Sequence, residues 1–288
     1  MPQVSIIIPV RNAARHIRAC LDAVLSQTLR DIEVICVENG STDASPDVIT
    51  AFSRFDPRVS SVDGAALADA GAARNAGLAQ ASGDWIAFVD ADDLPMPDML
   101  CAAVAAGESS KADVVVFDAV EFDDRTGFET PLPIQINAGL GEDVRFTSFG
   151  NCAWNKLFRT SYLREHGIRF QEIARSNDIA FTVEAMARTD HIAVLPRTLY
   201  RYRINAGGLQ STKSASPDCW RVALAECRRR LGRAGLIPRF ADALAALELE
   251  VEGDNLPGGS LSPKRILHSI RRRGLRGFLL HAAGRLLR

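Results

Sequence analysis

The stretch Trp85-Ile86-Ala87-Phe88-Val89-Asp90-Ala91-Asp92-Asp93 carries most of the information about the fold. Five residues suited to a buried strand run into three carboxylates. A continuous apolar run bounded by Gly83 and Pro95 predicts a strand covered on both faces, as in a parallel sheet. Ligands of open α/β sheets bind just beyond the carboxyl ends of strands, which is where these carboxylates fall. Because like charges this close repel one another, the cluster favours a bound divalent cation.

The same carboxylates also fit a purely structural role. Asp-rich segments form turns and cap helices, and Asp93 precedes Leu94-Pro95, where the next helix could begin. Taken alone, these residues leave both interpretations open, a metal site and a capped turn.

Strand and helix patterns alternate over the first 120 residues. The predicted strands are 4–8, 32–37, 59–62, 85–89 and 114–117, and the predicted helices are 13–27, 46–55, 68–81 and 97–106. Strands that alternate with helices of roughly 10–15 residues indicate right-handed βαβ units. The sequence therefore predicts an α/β fold with a Rossmann-like, mostly parallel sheet flanked by helices.

The pattern is lost over 121–149, which predicts an excursion or a short hairpin. Beyond it, the predicted elements are helices from 161, over 178–188, from Ser216-Pro217 to 231 and over 240–250, and a strand over 192–195. A linker rich in Gly, Pro and Ser follows over 253–262. We expect a helical C-terminal extension after the α/β region.

The charge of the chain is unevenly distributed. The segment 263–288 contains eight Lys or Arg and no Asp or Glu, so the overall net charge of −1 becomes −9 without it. An acidic body argues against nucleic-acid binding. The tail has apolar residues at mainly helical intervals, which is typical of a basic amphipathic helix on an anionic membrane. A tail folded onto the acidic body, or a disordered one, fits the same sequence.

Composition and targeting signals indicate an ordinary cytoplasmic protein. The chain is 47% hydrophobic and 24% charged, and no apolar stretch approaches the roughly 20 residues that span a bilayer. The first three residues lead directly into a strand, which leaves no room for a signal peptide. The six cysteines are scattered without a Cys-x-x-Cys motif, which argues for reduced thiols and against zinc.

Several short motifs follow one another in a set order: Ile8-Pro9-Val10-Arg11-Asn12, Val37-Glu38-Asn39-Gly40-Ser41-Thr42-Asp43, Ala73-Arg74-Asn75-Ala76-Gly77, Phe88-Val89-Asp90-Ala91-Asp92-Asp93, Trp154-Asn155-Lys156-Leu157, Asn177-Asp178 and Tyr200-Arg201-Tyr202-Arg203. In this order the chain resembles the family 2 inverting glycosyltransferases with the GT-A fold. The resemblance covers residues 4–212. It implies a catalytic domain over 1–212, with a nucleotide-sugar-binding half (1–120) and an acceptor-binding half (121–212), before a helical extension and linker (213–262) and the basic tail (263–288).

The resemblance also implies a metal-dependent donor site. Asp92 and Asp90 would hold Mn²⁺ or Mg²⁺ between the two phosphates of a nucleotide-sugar, with Asp92 the stronger ligand and Asp90 also suited to the ribose. A metal there would offset charge on the departing diphosphate. The implied donor-binding residues are Pro9, Val10, Asn12, Glu38, Arg74, Asp90, Ala91, Asp92, Lys156 and Arg203.

Some of these assignments have alternatives. Glu38 could bind a nucleobase or ribose, although the family usually has Asp there, and Asn39-Gly40-Ser41 could be only a turn. We expect Arg201 and Arg203 to point to opposite faces of a strand, so that at most one reaches the site. Trp154 could line the acceptor pocket or belong to the core.

Asp178 is the implied catalytic base, because a carboxylate can remove the proton of an acceptor hydroxyl as the new bond forms. Similar enzymes often carry Glu-Asp here, whereas this chain has Asn177-Asp178. Either residue could cap a helix, in place of this role or in addition to it.

The sequence thus predicts transfer of a sugar from a nucleotide-sugar, UDP-linked, to a hydroxyl with inversion. The expected acceptor is a glycan or a lipid-linked molecule, in surface polysaccharide or glycoconjugate biosynthesis. The context of Asp90-Ala91-Asp92 fits a phosphotransferase poorly, and the loop after the first strand lacks the glycines of a nucleotidyltransferase. A catalytically inactive sugar-nucleotide-binding or scaffold protein is the remaining alternative, and Asn177 keeps it open.

Overall fold

Four parallel strands form the first half of the sheet. The computed structural model describes residues 1–132, 145–146, 151–204 and 218–255. The strands are β1 (Val4–Val10), β2 (Ile32–Glu38), β3 (Val59–Asp63) and β4 (Trp85–Phe88). They lie in the order β3-β2-β1-β4, and each neighbouring pair is parallel. The order reverses between β1 and β4, which places a ligand crevice beyond the carboxyl ends of these two strands.

Helices connect these strands, as the alternating pattern predicts. They are α1 (Ile17–Leu25), α2 (Ser45–Phe55), α3 (Ala70–Gln80) and α4 (Met99–Ser110). The Asp69 carboxylate caps α3 by accepting a hydrogen bond from the Ala72 amide at 3.0 Å. Gly77 allows α3 to pack closely on β1, because a Cβ there would lie 2.4 Å from a methyl group of Ile7.

The second half of the sheet mixes strand directions. Its elements are β5 (Leu94–Pro95), β6 (Val114–Phe122), β7 (Glu129–Leu132), β8 (Lys156–Arg159) and β9 (Ile192–Arg203). The sheet continues from β4 as β8-β6-β9-β5, with β7 paired to β6. β6 and β9 are parallel, whereas β8 is antiparallel to both of its neighbours. The remaining helices are α5 (Thr160–Glu165), α6 (Asn177–Ala187), α7 (Cys219–Arg233) and α8 (Ile237–Asn255).

Some boundaries differ from the predicted ones. β9 continues to Arg203 instead of ending near Leu195, because its second part pairs with β6 across an irregularity at Phe117–Ala119. α8 extends to Asn255, into the segment predicted as a linker. The predicted hairpin is present as β6 and β7. The Ser216-Pro217 cap and the tail 263–288 lie outside the described residues.

Two hydrophobic cores lie against the sheet. One joins it to α3, α6, α7 and α8, and includes the rings of Phe88, Phe158, Phe170 and Phe181. The other joins it to α1 and α4. In the part of the chain that the structure describes, no helix has the length and apolar character needed to cross a membrane.

Candidate active site

The Asp90–Asp93 segment forms a turn immediately after β4. The Asp93 amide donates to the Asp90 carbonyl at 3.0 Å and closes the turn. The carboxylates of Asp90 and Asp92 are partly exposed, whereas Asp93 is fully buried. Burial raises the pKa of Asp93 well above its usual range, and the charges of Asp90 and Asp92 add to this effect. The turn therefore presents two of its three carboxylates at the crevice.

Asp93 is not the cap of the following helix. α4 begins only at Met99, and its capping position is Asp98. The Asp93 carboxylate instead accepts hydrogen bonds from the Arg203 amide at 2.7 Å and the Tyr200 hydroxyl at 2.9 Å. Both donors belong to β9, so Asp93 links the turn to the second half of the sheet.

Arg74 connects the turn to α6. Its guanidinium group donates to the Asp90 carboxylate at 2.7 Å and to the Asn177 side-chain carbonyl at 2.8 Å. The side chain is buried and lies 5.3 Å from the ring centre of Phe170. Burial disfavours its charge, but Asp90 and then Asp178 outweigh burial and raise the pKa of Arg74. The predicted contact of Arg74 with the nucleotide stays a prediction.

Asp178 lies in the first turn of α6, and the capping position of that helix is Ser176. Ser176 adopts a left-handed conformation with φ of 59°, and the Asn177 side chain accepts the bond from Arg74. The structure thus places neither Asn177 nor Asp178 at the cap, which contradicts the capping alternative. Burial raises the pKa of Asp178, the Arg74 charge opposes this shift, and the Asp90 charge adds to it. Asp178 therefore has the properties of a carboxylate able to accept a proton.

Two loops are tied together at the crevice edge. The Glu38 carboxylate accepts hydrogen bonds from the Ser41 amide at 2.6 Å and the Gly40 amide at 3.2 Å, which confirms the turn at this position. Asn12 is left-handed, with φ of 52°, and its side-chain carbonyl accepts from the Thr42 amide at 2.8 Å. The loops after β1 and β2 thus form one wall, and the contact of Glu38 with a nucleobase stays a prediction.

Three other predicted donor residues, Pro9, Val10 and Ala91, lie partly or fully buried near the crevice. Val10 and Ala91 are buried in the core beside α1, and the Val10 carbonyl accepts from the Asn39 amide at 2.8 Å. Pro9 is half-buried and lies beside Val37 of β2. Donor contacts of these three residues remain predictions.

Lys156 does not lie at the crevice surface. Its ammonium group is buried and donates to the Cys152 carbonyl at 2.6 Å and the Asn155 side chain at 2.7 Å. Burial lowers the pKa of Lys156 to about 8. The first residue of β8 thus points into the protein, and a contact of Lys156 with donor phosphate stays a prediction.

Arg203 is buried at the end of β9 beside the turn. Its Nε donates to the Asp92 carbonyl, and its guanidinium group pairs with Asp124. The prediction that Arg201 and Arg203 point to opposite faces is wrong, because alternate residues of a strand share a face. Both guanidinium groups lie over the Phe122 ring, at 4.4 and 4.5 Å. A contact of Arg203 with the donor stays a prediction.

Sequence reasoning missed the role of Tyr200. It is fully buried, and its hydroxyl accepts from the Asp90 amide at 3.1 Å while donating to Asp93. Trp154 is buried and stacks on Tyr200 and Tyr202, so the core interpretation of Trp154 is correct. The only signal in the sequence was the alternation of Tyr and Arg over 200–203. It is typical of a strand but does not indicate which residues Tyr200 would bond.

A separate polar cavity lies at the opposite end of the sheet. It has a volume of about 380 Å³ and is lined by residues that include Asp113, Tyr162, His166 and His191. Asp113 and His191 immediately precede β6 and β9. Because β6 runs in the same direction as β4, this cavity does not belong to the crevice beside the Asp90–Asp93 turn.

The carboxylates at the turn are the groups that could hold a metal ion. Within the described residues, no group of three or more His, Cys, Asp or Glu side chains is arranged for metal binding. Asp90 and Asp92 offer two carboxylates, and one oxygen of Asp90 already accepts from Arg74. The arrangement suits a cation that also takes oxygen ligands from a bound molecule.

Comparison with known proteins agrees with this geometry. A family model described as Glycosyl transferase family 2 matches residues 5–167, more than half of the chain. The chain belongs to this family. The matched segment of this glycosyltransferase family member contains the loops of the crevice wall, Arg74 and the Asp90–Asp93 turn.

Curated relatives include the succinoglycan biosynthesis protein ExoO of Rhizobium meliloti. ExoO is 30% identical over 220 residues, which cover 73% of this chain and 63% of ExoO. Glycosyltransferase GlyA of Streptococcus pneumoniae is 29% identical over 220 residues, which cover 72% of this chain and 31% of GlyA. The chain thus spans less than two thirds of the length of these relatives.

Solved structures show the same fold. The crystal structure of S. aureus TarS 1-349 superposes with a TM-score of 0.66 and 20% identity, over 96% of this chain and 89% of that one. The mannosyltransferase PcManGT of Pyrobaculum calidifontis, in complex with GDP-Man and Mn²⁺, gives a TM-score of 0.61 and 20% identity, over 99% and 80%. The predicted GT-A fold is confirmed, and its division into 1–212, 213–262 and 263–288 stays a prediction.

Proposed function

We propose that this chain transfers a sugar from a nucleotide-sugar to an acceptor hydroxyl, with inversion at the anomeric carbon. The observation that carries the proposal is the Arg74 bridge, with hydrogen bonds of 2.7 Å to Asp90 and 2.8 Å to Asn177. It joins the turn after β4 to the start of α6. The carboxylates suited to a donor diphosphate and the carboxylate suited to a base therefore belong to one connected structure.

The donor would bind at the crevice beyond β1 and β4. The loop wall formed by Asn12 and Glu38 would face the nucleoside, and the Asp90–Asp92 turn would face the diphosphate. We propose a UDP-linked donor, since TarS 1-349 was solved in complex with UDP-GlcNAc.

The turn fits a divalent cation that the donor itself helps to hold. Mn²⁺ and Mg²⁺ are commonly bound by one or two carboxylates together with substrate phosphates and water, and Asp92 and Asp90 offer two. PcManGT was solved with Mn²⁺, and Mn²⁺ or Mg²⁺ occurs in complexes of the mycobacterial glucosyl-3-phosphoglycerate synthase. When bound, the ion would offset the negative charge that builds up on the departing diphosphate.

In the proposed reaction, Asp178 accepts the proton of the acceptor hydroxyl. The acceptor oxygen forms a bond to the anomeric carbon, while the bond from that carbon to the phosphate oxygen breaks and its electron pair leaves with the nucleoside diphosphate. One displacement without a covalent sugar–enzyme intermediate inverts the configuration. The raised pKa of Asp178, caused mainly by burial, improves its ability to take the proton.

The acceptor would be a glycan or a lipid-linked molecule in polysaccharide or glycoconjugate biosynthesis, as the name of ExoO suggests. We propose a cytoplasmic protein whose basic tail contacts the inner face of the membrane. This contact rests on the sequence of 263–288 alone.

Nucleotide-sugar turnover tests the proposal. The protein is incubated with a panel of UDP- and GDP-sugars and simple glycan acceptors, with Mn²⁺ or with a chelator, and the anomeric configuration of the product is read by proton NMR. We expect release of UDP only with the metal, and an inverted product. Saturable binding of UDP-sugars without any turnover would instead support a sugar-nucleotide-binding or scaffold protein.

A further inference from the structure

The Asp90–Asp93 turn is held by β9, which also pairs with β5 immediately after the turn. The Tyr200 hydroxyl donates to one oxygen of Asp93 at 2.9 Å and accepts from the Asp90 amide at 3.1 Å. The Arg203 amide donates to the other oxygen of Asp93 at 2.7 Å. β9 therefore contacts the first and last residues of the turn.

Neither Tyr200 nor Asp93 can touch a donor in this arrangement, because both side chains are fully buried. Each oxygen of Asp93 accepts a hydrogen bond from β9. These bonds offset the free-energy cost of burying a polar carboxyl group. The Tyr200 ring stacks on Trp154 with 4.9 Å between ring centres and an interplanar angle of 18°. Packing thus fixes the ring, and the ring fixes its hydroxyl.

We propose that Tyr200 and Asp93 are positioning residues, which fix the backbone of the turn and so the direction in which the Asp90 and Asp92 carboxylates point. Groups behind a metal ligand orient that ligand in this way. The inference deepens the proposed function and rests on it. It concerns the direction in which the turn holds the two carboxylates when a cation binds there together with a nucleoside diphosphate.

The chain provides a matched control in Tyr202. This residue lies two positions along the same strand and stacks on the same Trp154, at 5.3 Å and 14°. Among the described residues, its hydroxyl has no hydrogen bond to the turn. Tyr202→Phe therefore removes a hydroxyl from the same aromatic stack and leaves the turn's contacts in place.

Mn²⁺ binding in the presence of UDP is the deciding measurement, followed by electron paramagnetic resonance of the free ion. We expect Tyr200→Phe to raise the Kd for Mn²⁺ by about 10- to 100-fold, and Tyr202→Phe to change it less than twofold. Sugar transfer by Tyr200→Phe should recover as Mn²⁺ approaches saturation. A folding defect would instead lower the unfolding midpoint of the metal-free variant, which we expect to stay near that of the wild-type protein.

Equal Mn²⁺ affinity in Tyr200→Phe and the wild-type protein would overturn the positioning role, as would an equal loss in Tyr202→Phe. Where Tyr200→Phe does not fold, Asp93→Asn tests the same link, with the same expected loss and the same outcome against it. A wild-type protein that binds neither UDP nor Mn²⁺ would refute the proposed function itself. The wild-type measurements therefore test the proposed function. The comparison of the variants with the wild-type protein tests the positioning role.

Discussion

The parallel half of the sheet and the half built on β6, β8 and β9 contribute to the site in different ways. The parallel half presents groups at the crevice on short local segments, namely the loops after β1 and β2 and the turn after β4. The second half provides Asp178 on α6 and the β9 side chains behind the turn. One half therefore offers ligands, and the other orients them and carries the proposed base.

Substitution of Asp92 tests the first half and has the largest expected effect. Asp92→Asn removes one of the two partly exposed carboxylates, which weakens cation binding and the stabilisation of the leaving group. We expect metal-dependent turnover to be lost while the unfolding midpoint stays near that of the wild-type protein. Steady-state rates across a Mn²⁺ titration measure this. Equal activity of both proteins with and without chelator would contradict the metal assignment.

Substitution of Asp178 tests the second half. Asp178→Asn should lower the transfer rate by roughly 10²–10⁴-fold with little change in donor affinity, because a base acts in the transition state. Single-turnover kinetics and calorimetric titration with UDP-sugar separate the two quantities. A collapse of donor affinity with normal transfer from bound donor would make Asp178 a binding residue.

The parallel half was largely predictable because its signals are local. Apolar runs, helical stripes and loop residues follow one another within about 90 residues, and all four strands appear near the predicted positions. The small residues near Arg74 correctly indicated close packing of α3 on the sheet. A Cβ at Gly77 would lie only 2.4 Å from Ile7 of β1.

The second half was less predictable because its contacts join residues far apart in sequence. The Tyr200–Asp93 bond spans 107 positions, and the Arg74–Asn177 bond spans 103. No local pattern distinguishes a buried lysine at the start of a strand from an exposed one, so the sequence did not predict the burial of Lys156. The extension of β9 likewise depends on its pairing with β6.

The connection between the halves is tested at Asn177. Asn177→Glu places a carboxylate beside Arg74, which would compete with Asp90 for its guanidinium group and disfavour a second charge on Asp178. In the wild-type protein, burial already raises the pKa of Asp178 against the charges of Arg74 and Lys156. The base acts only when it is deprotonated, so activity should be lost as the pH falls through the pKa of Asp178. We expect the midpoint of this loss to lie above about 3.9, the ordinary pKa of Asp.

In Asn177→Glu, we expect the acidic limb of the pH–activity profile, where activity is lost at low pH, to shift to a higher pH by about 1 unit. Profiles of kcat/KM against pH for both proteins measure the shift, with Asn177→Gln as the uncharged control of similar size. An unchanged limb in Asn177→Glu would show that the charge beside Arg74 does not reach Asp178. A limb that moves equally in Asn177→Gln would indicate a change of shape.

The smallest expected effects are on stability. The same type of substitution, Gly to Ala in a helix, compares the packing of the two halves. Gly77→Ala in α3 places a methyl group 2.4 Å from Ile7 of β1, and overpacking of this kind costs about 1–3 kcal/mol. Gly232→Ala in α7 meets nothing nearer than Ile237 at 4.0 Å, so the better helix propensity of Ala should stabilise the protein by about 0.5–1 kcal/mol. Urea unfolding measures both changes. If Gly77→Ala proved as stable as Gly232→Ala, α3 would have room to shift on the sheet, and the position of Arg74 would not depend on that contact.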